Sequence, residues 1–78
     1  MPFIEVKIVE GVLSDDKKYE LIAALTNAVV SVGGEGFRPM TRCIIQEIKS
    51  GHWGVAGKPL TTENARLSSG LDLLAHLG

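Results

Sequence analysis

Pro2 is the residue of this chain whose chemistry would be hardest to replace. If Met1 is trimmed after synthesis, the ring nitrogen of Pro2 becomes a free secondary amine, a base that no side chain supplies. The ring also holds this nitrogen stiffly, because proline fixes φ near about −65°. An alternative interpretation is that proline is merely tolerated as the first residue of a strand. Pro2 alone leaves both interpretations open.

The other residues capable of chemistry give weaker signals. Cys43 lies in an apolar run and is typical of a small core residue, because a nucleophilic thiol needs a base and an electropositive pocket. His52 and His76 stand far apart, so no metal-site spacing is present. The glycine-rich residues 54–58 lack the spacing and the hydroxyl of a phosphate-binding loop. We therefore expect neither a cofactor nor a metal.

The spacing of apolar residues predicts a strand followed by a helix. Residues 3–9 alternate apolar and charged side chains, the period of a half-buried strand. Ser14 is typical of a helix N-cap, since its side chain can accept a hydrogen bond from the first turn. Gly33-Gly34 predicts the end of the helix, and residues 36–39 predict an irregular segment after it. The apolar helical face comprises Leu21, Ile22, Leu25, Ala28, Val29 and Val32.

A second strand and a hairpin are predicted next. Residues 41–48 form a dense apolar run, typical of a strand that is covered on both faces. Because one helix separates the two strands, they should pair in parallel as a βαβ unit. Residues 50–59 predict a short hairpin or bulged loop, and residues 62–77 a weak helix. The fold class is therefore α+β, a single βαβ unit with parallel strands plus a short C-terminal hairpin.

The size of the chain indicates that it associates with other chains. Its 78 residues suffice for one domain, which is expected to span residues 1–78. Such a chain buries only about 60% of its unfolded surface, and a lone βαβ unit leaves sheet edges and one sheet face open. A single cysteine excludes an internal disulfide, and 45% of the residues are hydrophobic. We therefore expect an oligomer.

The charge balance excludes several classes of partner. A net charge of −1 lacks the basic stripe of a nucleic-acid-binding protein. No apolar run approaches the length of a membrane span, and the first apolar run is too short for a signal peptide. A lone cysteine fits a reducing compartment. We expect a cytoplasmic protein without nucleic-acid or membrane partners.

Short motifs at several places in the chain occur together in one known family. These motifs are Pro2, Ile8-Val9-Glu10-Gly11, Ser14-Asp15-Asp16-Lys17, Arg42-Cys43-Ile44-Ile45-Gln46-Glu47 and Gly51-His52-Trp53-Gly54-Val55-Ala56-Gly57. In this combination the chain resembles the 4-oxalocrotonate tautomerase family of the tautomerase superfamily. The resemblance covers residues 2–60, and residues 61–78 form a C-terminal extension without a recognised counterpart.

The resemblance implies an assembly and a mechanism. The chains would pair into dimers, and three dimers would form a hexamer that is homomeric or includes a second kind of subunit. Pro2 would act as general base and acid in aromatic catabolism, moving a proton from the hydroxyl of a dienol such as 2-hydroxymuconate to a carbon further along. The amine must be neutral for this step, and an ordinary α-amino group titrates at about 7.7–8.0. An apolar pocket and a nearby cation would lower its pKa.

The resemblance also assigns roles to Arg42 and Trp53. Arg42 matches the arginine that binds the substrate carboxylate and polarises the 2-keto oxygen, reaching in from a neighbouring subunit. Trp53 stands where the family keeps an aromatic residue, usually phenylalanine, that walls the pocket. The alternatives are an arginine paired with a surface carboxylate and a tryptophan in the core or at an interface. The implied site thus has Pro2 and Arg42 as catalytic residues and Arg42 and Trp53 as residues that bind the small carboxylate substrate.

The chain departs from the family directly after Glu10-Gly11. The family usually has an arginine there that binds the far carboxylate of a dicarboxylate substrate, whereas this chain has Val12-Leu13. A monocarboxylate with an apolar tail, such as a 2-hydroxydienoate or an arylpyruvate enol, fits these residues better. A better-equipped partner subunit is the second possibility. The candidate replacement cations, each more typical of a solvated surface, are Arg38, Lys58 and Arg66.

Two other functions stay open. Some relatives hydrate or dehalogenate unsaturated or 3-haloacrylate-type acids with the same proline protonated, which requires a carboxylate near Pro2 to activate water. Glu47 is the nearest candidate in the sequence. The other function is that of a non-catalytic subunit in a hetero-oligomer.

Overall fold

The computed structural model describes residues 2–68, with the backbone alone at Ser68. In chain order its elements are strand β1 (Phe3–Val9), helix α1 (Asp15–Gly33), a 3-10 helix (Glu35–Met40), strand β2 (Arg42–Ile48), strand β3 (Trp53–Val55), strand β4 (Lys58–Leu60) and helix α2 (Thr62–Ser68). Strands β1 and β2 lie side by side in parallel, and β3 and β4 form an antiparallel hairpin. The predicted βαβ unit and hairpin are confirmed.

Helix α1 begins and ends where the sequence predicts. The hydroxyl of Ser14 accepts a hydrogen bond from the backbone N–H of Lys17 at 3.3 Å, which satisfies one free donor of the first turn. Gly34 ends the helix with a φ of 96°, and its N–H donates to the carbonyl of Val30. A side chain at this φ would be strained, so glycine is the residue that suits the stop.

The prediction of an irregular segment at residues 36–39 is wrong, because Glu35–Met40 forms a 3-10 helix. Pro39 does not prevent it, since the φ that proline imposes lies within the range of a 3-10 helix. Thr41 closes the segment: its backbone N–H and its hydroxyl both donate to the carbonyl of Phe37, at 2.9 and 2.7 Å. The segment therefore holds a fixed position for its side chains.

The chain divides into two compact units, of which the first comprises the residues up to Lys7 together with Leu13–Gln46. The single domain expected over residues 1–78 stays a prediction. Along β1, side chains alternate between half-buried and exposed, and Phe3 is 62% exposed. On β2, Ile44 is 44% exposed. Residues 2–68 therefore do not by themselves cover both faces of this strand, although the sequence predicts such cover. On α1, Val30 is buried and Val32 is 90% exposed, which corrects the predicted apolar face.

The second unit comprises Ile8–Val12 and the residues from Glu47 onward. In its hairpin, Trp53 pairs with Leu60, and the turn residues Ala56 and Gly57 both have positive φ, 53° and 78°. Such a turn matches the twist of the flanking strands.

Helix α2 confirms the first half of the predicted C-terminal helix. Its first residue, Thr62, donates from its hydroxyl to the carbonyl of Glu10 at 2.6 Å and from its N–H to the hydroxyl of Ser50 at 2.9 Å. The remainder of the predicted helix, including Leu71 and Leu74, lies outside the described residues.

The core of the described chain is small. Within residues 2–68, the buried apolar side chains are Val9, in the second unit, and Val30, in the first. So small a core favours the expected association with other chains.

Candidate active site

Pro2 and Arg42 are neighbours at the beginning of the two parallel strands. The backbone N–H of Arg42 donates to the carbonyl of Pro2 at 3.0 Å. The pairing follows from the topology, because parallel strands that start together bring their first residues to the same edge of the sheet. Two of the residues predicted to form the site are thus brought together within the first unit.

The guanidinium of Arg42 is exposed and its charge is not neutralised by the described part of the chain. Its Nη1 donates to the carbonyl of Pro39 at 3.2 Å, and no carboxylate among residues 2–68 forms an ion pair with it. Within residues 2–68, Arg42 therefore does not form the pair with a surface carboxylate that was the alternative interpretation. A carbonyl partner orients the guanidinium and leaves its charge available for an anion.

Pro2 also lines an open apolar depression of about 460 Å³ in the first unit. The other lining residues are Ala28, Val29, Val32, Gly33 and Phe37. The lining side chains carry only carbon, so a group placed here contacts apolar surface and finds no polar side chain among them. Sequence reasoning missed Phe37 and Gly33 as part of this surface, although an aromatic residue shortly after a helix stop was a signal that it could have used.

Trp53 belongs to the second unit and is half-buried at the start of β3. Val12 and Leu13, which replace the family's arginine, are half-buried too. The carboxylate of Glu47 accepts a hydrogen bond from the N–H of Gly11 at 3.3 Å, so it contacts the turn that follows β1. Pro2, by contrast, precedes β1.

The three candidate replacement cations differ in their surroundings. Nε of Arg38 lies 3.0 Å from Oε1 of Glu35, and its Nη1 donates to the side chain of Asn27 at 2.9 Å. The hydrogen bond from Arg38, helped by its charge, lowers the pKa of the Glu35 carboxyl. Lys58 is exposed on β4 and Arg66 is exposed on α2. Arg38 is thus already paired with a carboxylate, unlike Arg42.

Cys43 is a half-buried free thiol, consistent with the small apolar role predicted for it. Within residues 2–68, no group of three or more His, Cys, Asp or Glu side chains is arranged to hold a metal ion. In the same part of the chain, every helix is too short or too polar to cross a membrane.

Comparison with known proteins identifies the family. A sequence model of the tautomerase enzyme family matches residues 2–63. A "Probable tautomerase" from Ralstonia nicotianae is 46% identical over 59 residues, which cover 76% of this chain and 81% of that protein. Another "Probable tautomerase", from Staphylococcus haemolyticus, is 42% identical over 57 residues, covering 73% of this chain and 89% of that protein.

Solved structures are similar over most of their length. YwhB, a homologue of 4-oxalocrotonate tautomerase, has a TM-score of 0.67 at 33% identity, covering 74% of this chain and 92% of that one. A 4-oxalocrotonate tautomerase isozyme from Methylibium petroleiphilum has a TM-score of 0.67 at 22% identity, covering 81% and 95%, and so supports the fold alone.

The βαβ unit followed by a short hairpin thus defines a tautomerase-type protein. More narrowly, the chain belongs to the tautomerase family, in the branch of 4-oxalocrotonate tautomerase, and is a tautomerase enzyme. Members of this family are small oligomeric enzymes that act on small substrates.

Proposed function

We propose that the chain ketonises enol or dienol forms of 2-oxo acids, with the free amine of Pro2 as general base and acid. The amine removes the proton of the enol hydroxyl, and the oxygen forms a carbonyl. The electrons of the C=C bond shift along the conjugated system, and the carbon at its end takes the proton back from the ammonium. The product is an isomer of the substrate, and no external electron donor or acceptor is needed.

The observation that carries this proposal is the surroundings of Pro2. It lines an apolar depression, and its carbonyl accepts the N–H of Arg42, whose guanidinium has no carboxylate partner among residues 2–68. In the assembled enzyme, apolar surroundings and a guanidinium brought close to the amine would both disfavour its protonated form, so they should lower the pKa of a free Pro2 nitrogen. A base with a pKa near the working pH typically contributes a factor of about 10² to 10⁴ to the rate.

The proposed substrate is a monocarboxylate with an apolar tail. Arg42, from this subunit or a neighbouring one, binds the carboxylate and polarises the 2-keto oxygen, since a guanidinium offers two parallel donors. Val12 and Leu13 stand where the family has the arginine that binds a far carboxylate, so the substrate should lack a second carboxylate. In the assembly, Trp53 walls the pocket.

The proposed assembly is a cytoplasmic homohexamer, a trimer of dimers. It is supported by the small core and by the large apolar side chains that the chain leaves exposed, among them Phe3 and Ile44. A hetero-oligomer and a place in aromatic catabolism stay predictions.

Replacing the proposed base tests this function. We expect Pro2→Ala to reduce turnover of phenylenolpyruvate by at least about 10²-fold, the lower end of what a general base contributes. Mass spectrometry of the purified protein should show that Met1 is absent. Pro59→Ala is the matched control, because Pro59 is exposed on β4, and it should stay within about twofold of the wild type.

The same experiment distinguishes the proposed function from the two alternatives. A wild-type protein without Met1 that converts no enol would support a non-catalytic subunit. Release of halide from a 3-haloacrylate without enol turnover would support the dehalogenase. We rank this function lower, because Glu47, its candidate for activating water, is already bonded to the N–H of Gly11.

A further inference from the structure

Phe37 packs directly on Gly33 in the wall of the depression that Pro2 lines. A Cβ atom built on Gly33 would lie 2.8 Å from Cδ2, 2.9 Å from Cε2 and 3.0 Å from Cγ of the Phe37 ring. These distances are shorter than van der Waals contact, so only glycine lets the ring rest against the end of α1. The Phe37 ring can therefore occupy this position because Gly33 has no side chain.

The same wall leaves apolar side chains exposed. Val32 is 90% exposed and Phe37 is 37% exposed, and both line the depression. A concave apolar surface of this kind suits an apolar group of a ligand. The depression measures about 460 Å³, within the range of about 300–1,000 Å³ that is usual for small-molecule sites.

We propose that this depression binds the apolar tail of the substrate and that the Phe37 ring, seated on Gly33, determines which tails fit. The inference rests on the proposed function, since it places the tail beside the Pro2 base. The lining supports the assignment: beside Pro2 the depression offers apolar side chains, which suit a tail rather than the carboxylate that we assign to Arg42.

One short segment links the two parts of this site. The 3-10 helix carries Phe37, and two residues later the carbonyl of Pro39 accepts the hydrogen bond from Nη1 of Arg42. The same turn thus contacts the guanidinium of Arg42 and carries the ring that we assign to the tail.

The test compares Gly33→Ala, Phe37→Ala and the double variant on two substrates. The substrates are phenylenolpyruvate, with an aromatic tail, and a short 2-hydroxydienoate without a ring. We expect each single variant to lower the ratio of kcat/KM for the aromatic over the short substrate by about tenfold, mainly through KM, as is typical of apolar pocket contacts. In the double variant, Gly33→Ala should add nothing, because its effect requires the ring.

Two controls separate pocket shape from folding. Alanine is a better helix former than glycine, so Gly33→Ala should retain its helical circular dichroism while its substrate ratio changes. Tyr19→Ala also removes an exposed aromatic ring from α1, one that is 65% exposed and outside the depression. This variant should keep the wild-type ratio.

A binding measurement keeps the inference distinguishable from the proposed function. The binding of 3-phenylpropanoate, which cannot react, is followed by NMR titration of the wild type and each variant. Weaker binding in Gly33→Ala and Phe37→Ala supports the tail site even if the wild type turns over no enol. Unchanged substrate ratios and unchanged binding would overturn the inference, as would variants that change only the oligomeric state in analytical ultracentrifugation, since the depression would then be a subunit contact.

Discussion

The residues that begin the two parallel strands and those that follow their ends are used differently. At the beginning, Arg42 has no carboxylate partner within residues 2–68, and Pro2 lines an open apolar depression. After the ends, the polar groups are paired: Glu47 accepts the N–H of Gly11, and Thr62 donates to the carbonyl of Glu10. The groups at the beginning of the strands remain available to a ligand, whereas those after the strand ends are already hydrogen-bonded within the fold.

The difference shows where function should reside. A charge or an apolar surface that already has a partner within the fold contributes to stability. Replacing it should therefore change the free energy of unfolding. A charge that stays unneutralised beside a candidate base contributes little to folding, because exposed groups with no partner rarely stabilise a protein. Substitutions in the two regions should therefore separate activity from stability.

The largest effect is expected for Arg42→Gln. We expect kcat/KM for phenylenolpyruvate to fall by an amount equivalent to about 2–5 kcal/mol, the range for removing one partner of a desolvated charge pair. The free energy of unfolding should change by less than about 0.5 kcal/mol, because the side chain is exposed. Enzyme kinetics and urea unfolding at a fixed protein concentration measure the two quantities.

The pH dependence sharpens this prediction. Without the guanidinium, the ammonium form of Pro2 is less disfavoured, so its pKa should rise. Since only the neutral amine accepts a proton, the acid limb of the pH–rate profile should move to higher pH. Arg42→Lys keeps a positive charge without the bidentate geometry and should lie between the wild type and Arg42→Gln. An unchanged kcat/KM in Arg42→Gln would remove this residue from the site.

A smaller effect, on stability, is expected for Thr62→Val. The hydroxyl that donates to Glu10 at 2.6 Å is lost while the side-chain volume is kept, so the free energy of unfolding should fall by about 1 kcal/mol. Thr62→Ser retains the hydroxyl and is the matched control. Equal unfolding midpoints for the two variants would show that this hydrogen bond does not contribute.

Much of the fold could be predicted because its signals are local. Alternation over residues 3–9, the cap at Ser14 and the stop at Gly34 each act within a few residues, and the structure confirms all three. The 3-10 helix was missed because Gly36 and Pro39 are both typical of irregular segments. In this segment the φ of proline is compatible with the helix, and Thr41 supplies the closing hydrogen bonds.

The candidate site was only partly predictable for a different reason. Parallel pairing could be inferred from one intervening helix, and it brings Arg42 to Pro2. The Phe37 ring was not placed in the site, because its contact with Gly33 depends on the 3-10 helix that was not predicted from the sequence. The roles of Pro2, Arg42 and Trp53 stay predictions, since they depend on the assembled enzyme and its substrate.

The smallest effect is expected for Arg38→Gln. It tests whether Arg38 is paired with Glu35 and so differs from Arg42. Arg38 donates to Glu35 at 3.0 and 3.2 Å, and these hydrogen bonds, with its charge, lower the pKa of that carboxyl. We expect Arg38→Gln to raise the pKa of Glu35 toward its ordinary value in an NMR titration. Asn27→Ala, which removes the other partner of Arg38, should leave the pKa of Glu35 low.

The sign of the pH effect follows from the direction of this shift. A carboxyl whose pKa is lower in the folded state stabilises the fold above its unfolded pKa, and this contribution is lost as pH falls through the folded value. Because Glu35 is fully exposed, the contribution to stability should be small. If Glu35 titrates identically in the wild type and in Arg38→Gln, the ion pair does not form in solution. Arg38 would then be as available to an anion as Arg42, and only the backbone hydrogen bond to Pro2 would favour Arg42 as the carboxylate site.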